Sequence, residues 1–179
     1  MEYLDSHKKI ILIGLNPTKE AKMFDAVFCQ TGGLWSIIGK SSLRPNGFDD
    51  IELSLDEKGK YKNFAGVVFG PKTDLGYADL VPDVFEKKGS NVKVNQQHLL
   101  DLEKKLIQTS VERIGLLGKK VTRAYLQIPK NDELSYGDSF PIKIGNRNVV
   151  SICLPFPETT PILNSEKVAI YVCLQNKVY

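Results

Sequence analysis

The stretch Lys9-Ile10-Ile11-Leu12-Ile13-Gly14-Leu15-Asn16-Pro17-Thr18 decides the fold. Four consecutive large aliphatic residues without a polar interruption read as a strand buried on both faces, the pattern of a parallel sheet. The run stops at Gly14, and Pro17 fixes φ and biases Asn16 toward an extended backbone. Such a turn presents a side chain at the carboxyl edge of a sheet, where open α/β folds bind their ligands. Three further apolar runs, at 65–69, 113–117 and 148–154, read as the remaining strands, the last two stopped by Gly118 and Pro155. Residues 77–81, ended by Pro82, form a further short strand candidate.

Helical patterns lie between these runs. Residues 95–110 carry Leu99, Leu100, Leu102, Leu106 and Ile107 as apolar residues and Asp101, Glu103, Lys104 and Lys105 as polar ones, an amphipathic stripe. Residues 119–126 follow the third run directly, 34–38 form a short helix after Gly32-Gly33, and 165–176 read as a mostly apolar helix or, as the second choice, a strand. Two stretches, 44–63 and 129–146, read as loops or insertions, the second holding a hairpin that ends at Gly145-Asn146. Strands alternating with helices predict a three-layer α/β/α domain around a mostly parallel four-stranded sheet, spanning residues 1–179 as one domain.

The composition narrows the function. With 24 basic against 21 acidic residues the formal charge is +3, which neither requires nor excludes a nucleic-acid partner. A hydrophobic content of 42% with 25% charged residues fits a folded chain and not a disordered one. Cys29, Cys153 and Cys173 form no CxxC pair, and His7 and His98 are far apart, so no metal site is expected. Sparse, odd cysteines suit a reducing cytoplasm. The longest apolar run is far shorter than the roughly 20 residues that cross a bilayer, and residues 1–9 lack the apolar core of a signal peptide. The expectation is a cytoplasmic monomer with no membrane partner.

Four constellations could carry chemistry. Asn16 cannot titrate, but its carbonyl oxygen can hold a water and aim it at an electrophile; equally, an Asn here can cap the helix that starts near Thr18. The segment Leu154-Pro155-Phe156-Pro157-Glu158-Thr159-Thr160-Pro161 is stiff, with three prolines in seven residues, and its hydroxyls can bond phosphate or cap the last helix. Gly118-Lys119-Lys120 opens a helix where backbone N–H groups and two cations suit an anion, or form an ordinary solvated helix start. Among the aromatics at 24–35, Phe28 can stack on a flat ligand, while Trp35 covers the sheet.

The order of these pieces adds to them. GLNPT (14–18), the aromatic segment ending in LWSII (34–38), LGYADLVP (75–82), IGLLGKKVTRAY (114–125) and LPFPETTP (154–161) resemble, in sequence, order and spacing, the motifs of the uracil-DNA glycosylase superfamily. The chain most resembles the mismatch-specific uracil/thymine-DNA glycosylase branch, over about residues 9–175. The resemblance implies a monofunctional DNA glycosylase without metal or cofactor. Its partner would be DNA, double-stranded with a damaged, mismatched or modified base, or single-stranded. Asn16 would position the water that attacks the sugar C1′, with backbone donors around Leu15 and Thr18 at the leaving base. Counting back from Trp35 reaches Val27, with Phe28 one residue later, and Phe28 is the expected stacking ring. Lys119, Lys120, Pro155, Glu158, Thr159 and Thr160 would meet DNA.

The chain departs from the family pattern at Phe156, where a polar base-binding residue is expected, at Glu158, where a small hydroxyl residue is expected, and at Asp79, where a Lys or Asn is expected. Phe156 would then act as an apolar wedge or pack in the interior. These departures keep open a different excised base, a non-catalytic DNA-binding module, or an enzyme acting on a nucleotide or phosphate ester held at 118–120.

Overall fold

The computed structural model describes residues 2–28, 33–49, 57–86 and 88–175. Cys29, Gln30, Thr31, Gly32, residues 50–56 of the first predicted loop and Asn176 of the final predicted helix lie outside the described residues.

The aliphatic run at the start forms β1 (Ile10–Gly14), which lies inside a sheet ordered β2-β1-β3-β5-β4. β2 (Leu75–Asp79), β3 (Arg113–Leu117) and β5 (Arg147–Leu154) run parallel with it, in the registers Ile10↔Leu75, Ile10↔Arg113 and Arg113↔Val150. β4 (Ser139–Ile144) adds antiparallel to β5 through the predicted turn, where Gly145 takes φ 56°. The sheet therefore has five strands, not four. Four are parallel, and the fifth belongs to the hairpin expected at 145–146.

One expected strand is a helix. Residues 65–69 fall at the end of α3 (Glu57–Val68), so the predicted loop at 44–63 also ends in this helix. Ala65, Val68 and Phe69 are the buried residues, and Gly66 faces solvent. That i, i+3, i+4 spacing belongs to a helix, which a short apolar run conceals. The short candidate at 77–81 takes the vacant place in the sheet as β2.

Two apolar layers flank the sheet. Leu12, Tyr77, Ile152 and Leu154 meet α2 (Gly33–Lys40), α3 and α6 (Asn164–Val172) on one face. Ile11, Ile13, Ala78, Ile114 and Leu116 meet α4 (Gln96–Ile107) and α5 (Lys119–Leu126) on the other. Trp35 is buried and stacks on Phe64 at 5.5 Å, so it covers the sheet as expected. α1 (Lys19–Phe24) follows the GLNPT turn directly.

A buried cation closes the end of the sheet opposite the strands' carboxyl ends. Lys8 is fully buried, and its Nζ donates to the carbonyls of Gly70 (2.6 Å) and Thr73 (2.7 Å). These carbonyls lie in the turn that follows α3, so the ammonium joins the start of β1 to the turn leading into β2. Burial pushes the Lys8 ammonium below its ordinary pKa, countered by Asp5 and Asp74.

Packing is tight at Gly115 in β3, where an added Cβ would meet Leu154 Cδ1 at 2.5 Å, Leu12 Cδ2 at 2.7 Å and Leu174 Cδ1 at 3.1 Å. These leucines are buried, so little room exists for them to give way. Gly115→Val should cost about 1–3 kcal/mol of stability by overpacking. Urea unfolding checks it, and a midpoint equal to wild type would refute the packing described.

Candidate active site

The carboxyl ends of β1, β2, β3 and β5 carry Gly14, Asp79, Leu117 and Leu154 to one edge. A cleft of about 520 Å³ opens there. Leu15, Asn16, Thr18, Phe28, Phe156, Glu158, Thr159, Thr160, Lys119 and Lys120 all line it, although they come from four separate chain segments.

Asn16 is held by its nitrogen. Nδ2 donates to the carbonyls of Pro17 (2.9 Å), Val84 (3.1 Å) and Glu86 (2.9 Å). Three surrounding acceptors leave no ambiguity about which end of the amide is nitrogen. Oδ1 has no hydrogen-bond donor among the described residues, so an acceptor remains on a residue of the cleft wall. Asn16 does not cap α1. Thr18 does, its Oγ1 accepting from Ala21 N at 3.2 Å. The carbonyls of Gly14 and Leu15 accept from Leu80 N and Val81 N, extending the β1–β2 ladder beyond the strand ends.

Phe28 and the neighbouring Val27 both line the cleft, Val27 buried in the core and Phe28 half-buried against it. The ring stands edge-on to Tyr77 at 5.2 Å and to Trp35 at 6.0 Å, and lies 6.4 Å from Phe156. Phe28 has φ 54°, a left-handed conformation that costs a bulky residue about 1–3 kcal/mol and collects at functional sites. Phe156 is half-buried against it and forms apolar wall, not a projecting wedge. Leu163, just beyond the cleft-lining Pro161, is the projecting apolar side chain of this loop, at 68% exposed.

Several residues expected at DNA have partners within the protein. Pro155 is buried and does not line the cleft, and its carbonyl accepts from Tyr171 Oη at 3.1 Å. The tyrosine, itself fully buried, draws this end of the loop inward. Lys120 donates its ammonium to the carbonyls of Gly89 and Val92, holding the single 3-10 turn at Gly89–Asn91. Lys119 stays exposed, its Nζ 5.1 Å from the Tyr136 ring centroid. Tyr136 Oη in turn lies 3.5 Å from Thr160 Oγ1. Gly118 opens α5 at φ 95°, a conformation only glycine adopts without strain.

The rim mixes charges: Lys119 and Lys120 stand with Glu86 and Glu158. Burial raises the Glu158 carboxyl above the ordinary carboxylate range, countered by the buried Lys167. Glu158 Oε1 is buried without a hydrogen-bond partner among the described residues. Lys167 Nζ donates to the Pro157 carbonyl at 2.7 Å, bracing the loop from behind.

The sequence reading missed a buried pair in the cleft lining. Tyr77 Oη donates to Asp79 Oδ1 at 2.6 Å, and both residues line the cleft. Asp79 is 2% exposed, and its Oδ2 has no partner among the described residues. Gly14, paired with Asp79 in the ladder, makes room: a Cβ there would lie 2.3 Å from Tyr77 Oη and 2.8 Å from Asp79 Oδ1. The glycine is therefore required for space, not for a turn. An acid at the end of an apolar strand was the available signal.

The sequence matches no family model and no curated protein. Among the described residues no helix is long and apolar enough to cross a membrane. The fold is a mixed α/β layer structure with its cleft at the carboxyl edge of a mostly parallel sheet.

Burial raises the Asp79 carboxyl from 3.8 to about 7, opposed by the Tyr77 hydrogen bond. A carboxyl raised on folding keeps its proton longer in the native state, so its contribution to stability falls as pH rises from about 4 to about 7. That loss is on the order of 4 kcal/mol. Asp79→Asn should escape it, so the variant gains on wild type by that order between pH 4 and pH 8 in urea unfolding. A stability difference independent of pH would show that Asp79 is not a buried titrating acid.

Proposed function

We propose that the protein hydrolyses the N-glycosidic bond of a base flipped out of DNA, as a monofunctional glycosylase. The observation that carries this reading is the Asn16 amide: fixed through nitrogen by three carbonyls, it keeps Oδ1 as an acceptor on the wall that also bears Phe28 and Phe156. Oδ1 accepts a hydrogen from water and aims the water oxygen at C1′. The O–C1′ bond forms, the C1′–N bond breaks, its electron pair leaves with the base, and the water's proton follows. Pre-placing the water removes much of the entropic barrier, so a strong base is not needed. Unstacking a base costs a few kcal/mol, which the Phe28 ring partly offsets. Leu163 is suited to occupy the space the base vacates.

The mixed rim supports a second reading, the same bond cleavage on a free nucleotide, because Glu86 and Glu158 repel a phosphate backbone where Lys119 attracts it. DNA binding would show an affinity that falls linearly with the logarithm of salt concentration, whereas a free nucleotide would compete with no such slope.

Asn16→Ala should remain folded at 25 °C with a loss of about 1–3 kcal/mol from the three released carbonyls. Base release from a panel of uracil-, mismatch- and lesion-containing oligonucleotides should drop about 100-fold or more. If wild type releases no base from the panel and from free nucleotides, the enzyme reading falls, and salt-dependent DNA binding without an abasic product would leave a binding module.

A further inference from the structure

We propose that Glu158 is the general acid of this cleft, its Oε2 delivering a proton to the ring nitrogen or carbonyl oxygen of the departing base. The proposal deepens the base-excision reading and rests on it for the identity of the bond that breaks.

The chemistry sets the requirement. Breaking the C1′–N bond leaves its electron pair on the base, and a proton delivered there stabilises the leaving group. Several polar hydrogens of the cleft are already committed. Those of Asn16 Nδ2 face three carbonyls, that of Tyr77 Oη goes to Asp79 Oδ1, and Lys120 Nζ donates to Gly89 and Val92. Three carboxyl residues line the cleft. Asp79 has one oxygen held by Tyr77 and the other closed off, and Glu86 is exposed at the rim. Glu158 is half-buried, and of its two oxygens Oε1 alone is closed off. Oε2 stays accessible and has no hydrogen-bond partner among the described residues.

Packing holds this carboxyl in place. A Cβ on Gly33, at the start of α2, would lie 2.8 Å from Glu158 Cγ and 3.4 Å from Pro157 Cβ, so the stem rests against the helix backbone. Lys167 Nζ draws in the Pro157 carbonyl from behind. Two residues earlier the same loop carries Phe156, whose ring lies 6.4 Å from Phe28, so the acid stands on the aromatic wall.

The charged surroundings are few. From α6, Lys167 and the fully buried Tyr171 face Glu158; the first turn of α2 carries no charged residue, and α5 brings the exposed Lys119 to the cleft. Burial raises the Glu158 carboxyl and Lys167 opposes the shift, so the acid keeps its proton to a higher pH than a solvated glutamic acid. The step balances without a further reactant. Neutral Glu158 gives its proton to the base as the C1′–N bond breaks. The water oxygen bonds C1′, and its released proton returns to the carboxylate. The products are the free base and the sugar hydroxyl.

The test compares oligonucleotides carrying uracil with those carrying 5-fluorouracil, whose fluorine makes the departing nitrogen more acidic and less dependent on a proton donor. In wild type the rate of uracil release should fall as pH rises through the raised Glu158 pKa, and the 5-fluorouracil-to-uracil ratio should widen between about pH 4.5 and pH 7. Glu158→Gln should slow uracil release about 100-fold at the acid end and 5-fluorouracil release about tenfold or less, and should lose that pH limb. Equal losses for both bases with the limb retained would mean a structural role and overturn the proposal. So would wild-type rates in the variant, or a wild-type ratio independent of pH, and either leaves excision by Asn16 standing. The wild-type ratio does not depend on the variant's folding. Release of neither base by wild type would remove the general acid together with uracil excision.

Discussion

The Asn16 amide nitrogen carries two hydrogens and faces three carbonyl oxygens, which come from the residue beside it and from the segment after β2. Hydrogen bonds of this kind contribute about 0.5–1.5 kcal/mol each, yet their placement matters more than their sum. They bind the exit of β1 to the exit of β2, next to the two backbone bonds from Leu80 and Val81. The loops at the carboxyl edge thereby become a continuation of the sheet, and the cleft inherits the rigidity of a parallel ladder. A site built on a ladder holds its groups more narrowly than one built on free loops.

The same edge gathers groups that oppose each other. Asp79 and Glu158 are raised carboxyls, Lys167 is a buried ammonium behind the loop, and Lys119 is the exposed cation in front. Phe28 sits among them in a left-handed backbone conformation. Strain, buried charge and an unmatched oxygen within one cavity all lower stability, and a fold retains such features where binding or chemistry compensates.

The sheet core was legible because β1, β3 and β5 are mostly apolar and stop at Gly or Pro, with Ser151 the polar residue inside the apolar part of β5. Residues 65–69 misled because a five-residue apolar window fits both a buried strand and the inner face of a helix end; burial at 65, 68 and 69 decides it. The hairpin of β4 was legible from the Gly145-Asn146 turn, but Pro141 and Lys143 give β4 a loop-like composition that left it out of the strand count. Within the site, Asn16, Phe28, Phe156, Glu158, Thr159, Thr160 and Lys119 could be brought to one cleft by topology alone, since each follows a strand or faces that edge. Pro155, Lys120 and the Tyr77–Asp79 pair could not be assigned, because their state depends on specific partners: Tyr171, the turn at Gly89–Asn91, and the room left by Gly14.

The two outer strands also bear on how copies of the chain meet. On one flank Tyr3 bridges Tyr77 through two backbone bonds, occupying part of the free side of β2. On the other flank β4 sets Pro141, which has no N–H to offer, and the exposed Lys143 along its open side. A proline and a charge on an outermost strand discourage strand addition by a neighbouring molecule, so the sheet is poorly suited to growing into a fibril or a swapped dimer.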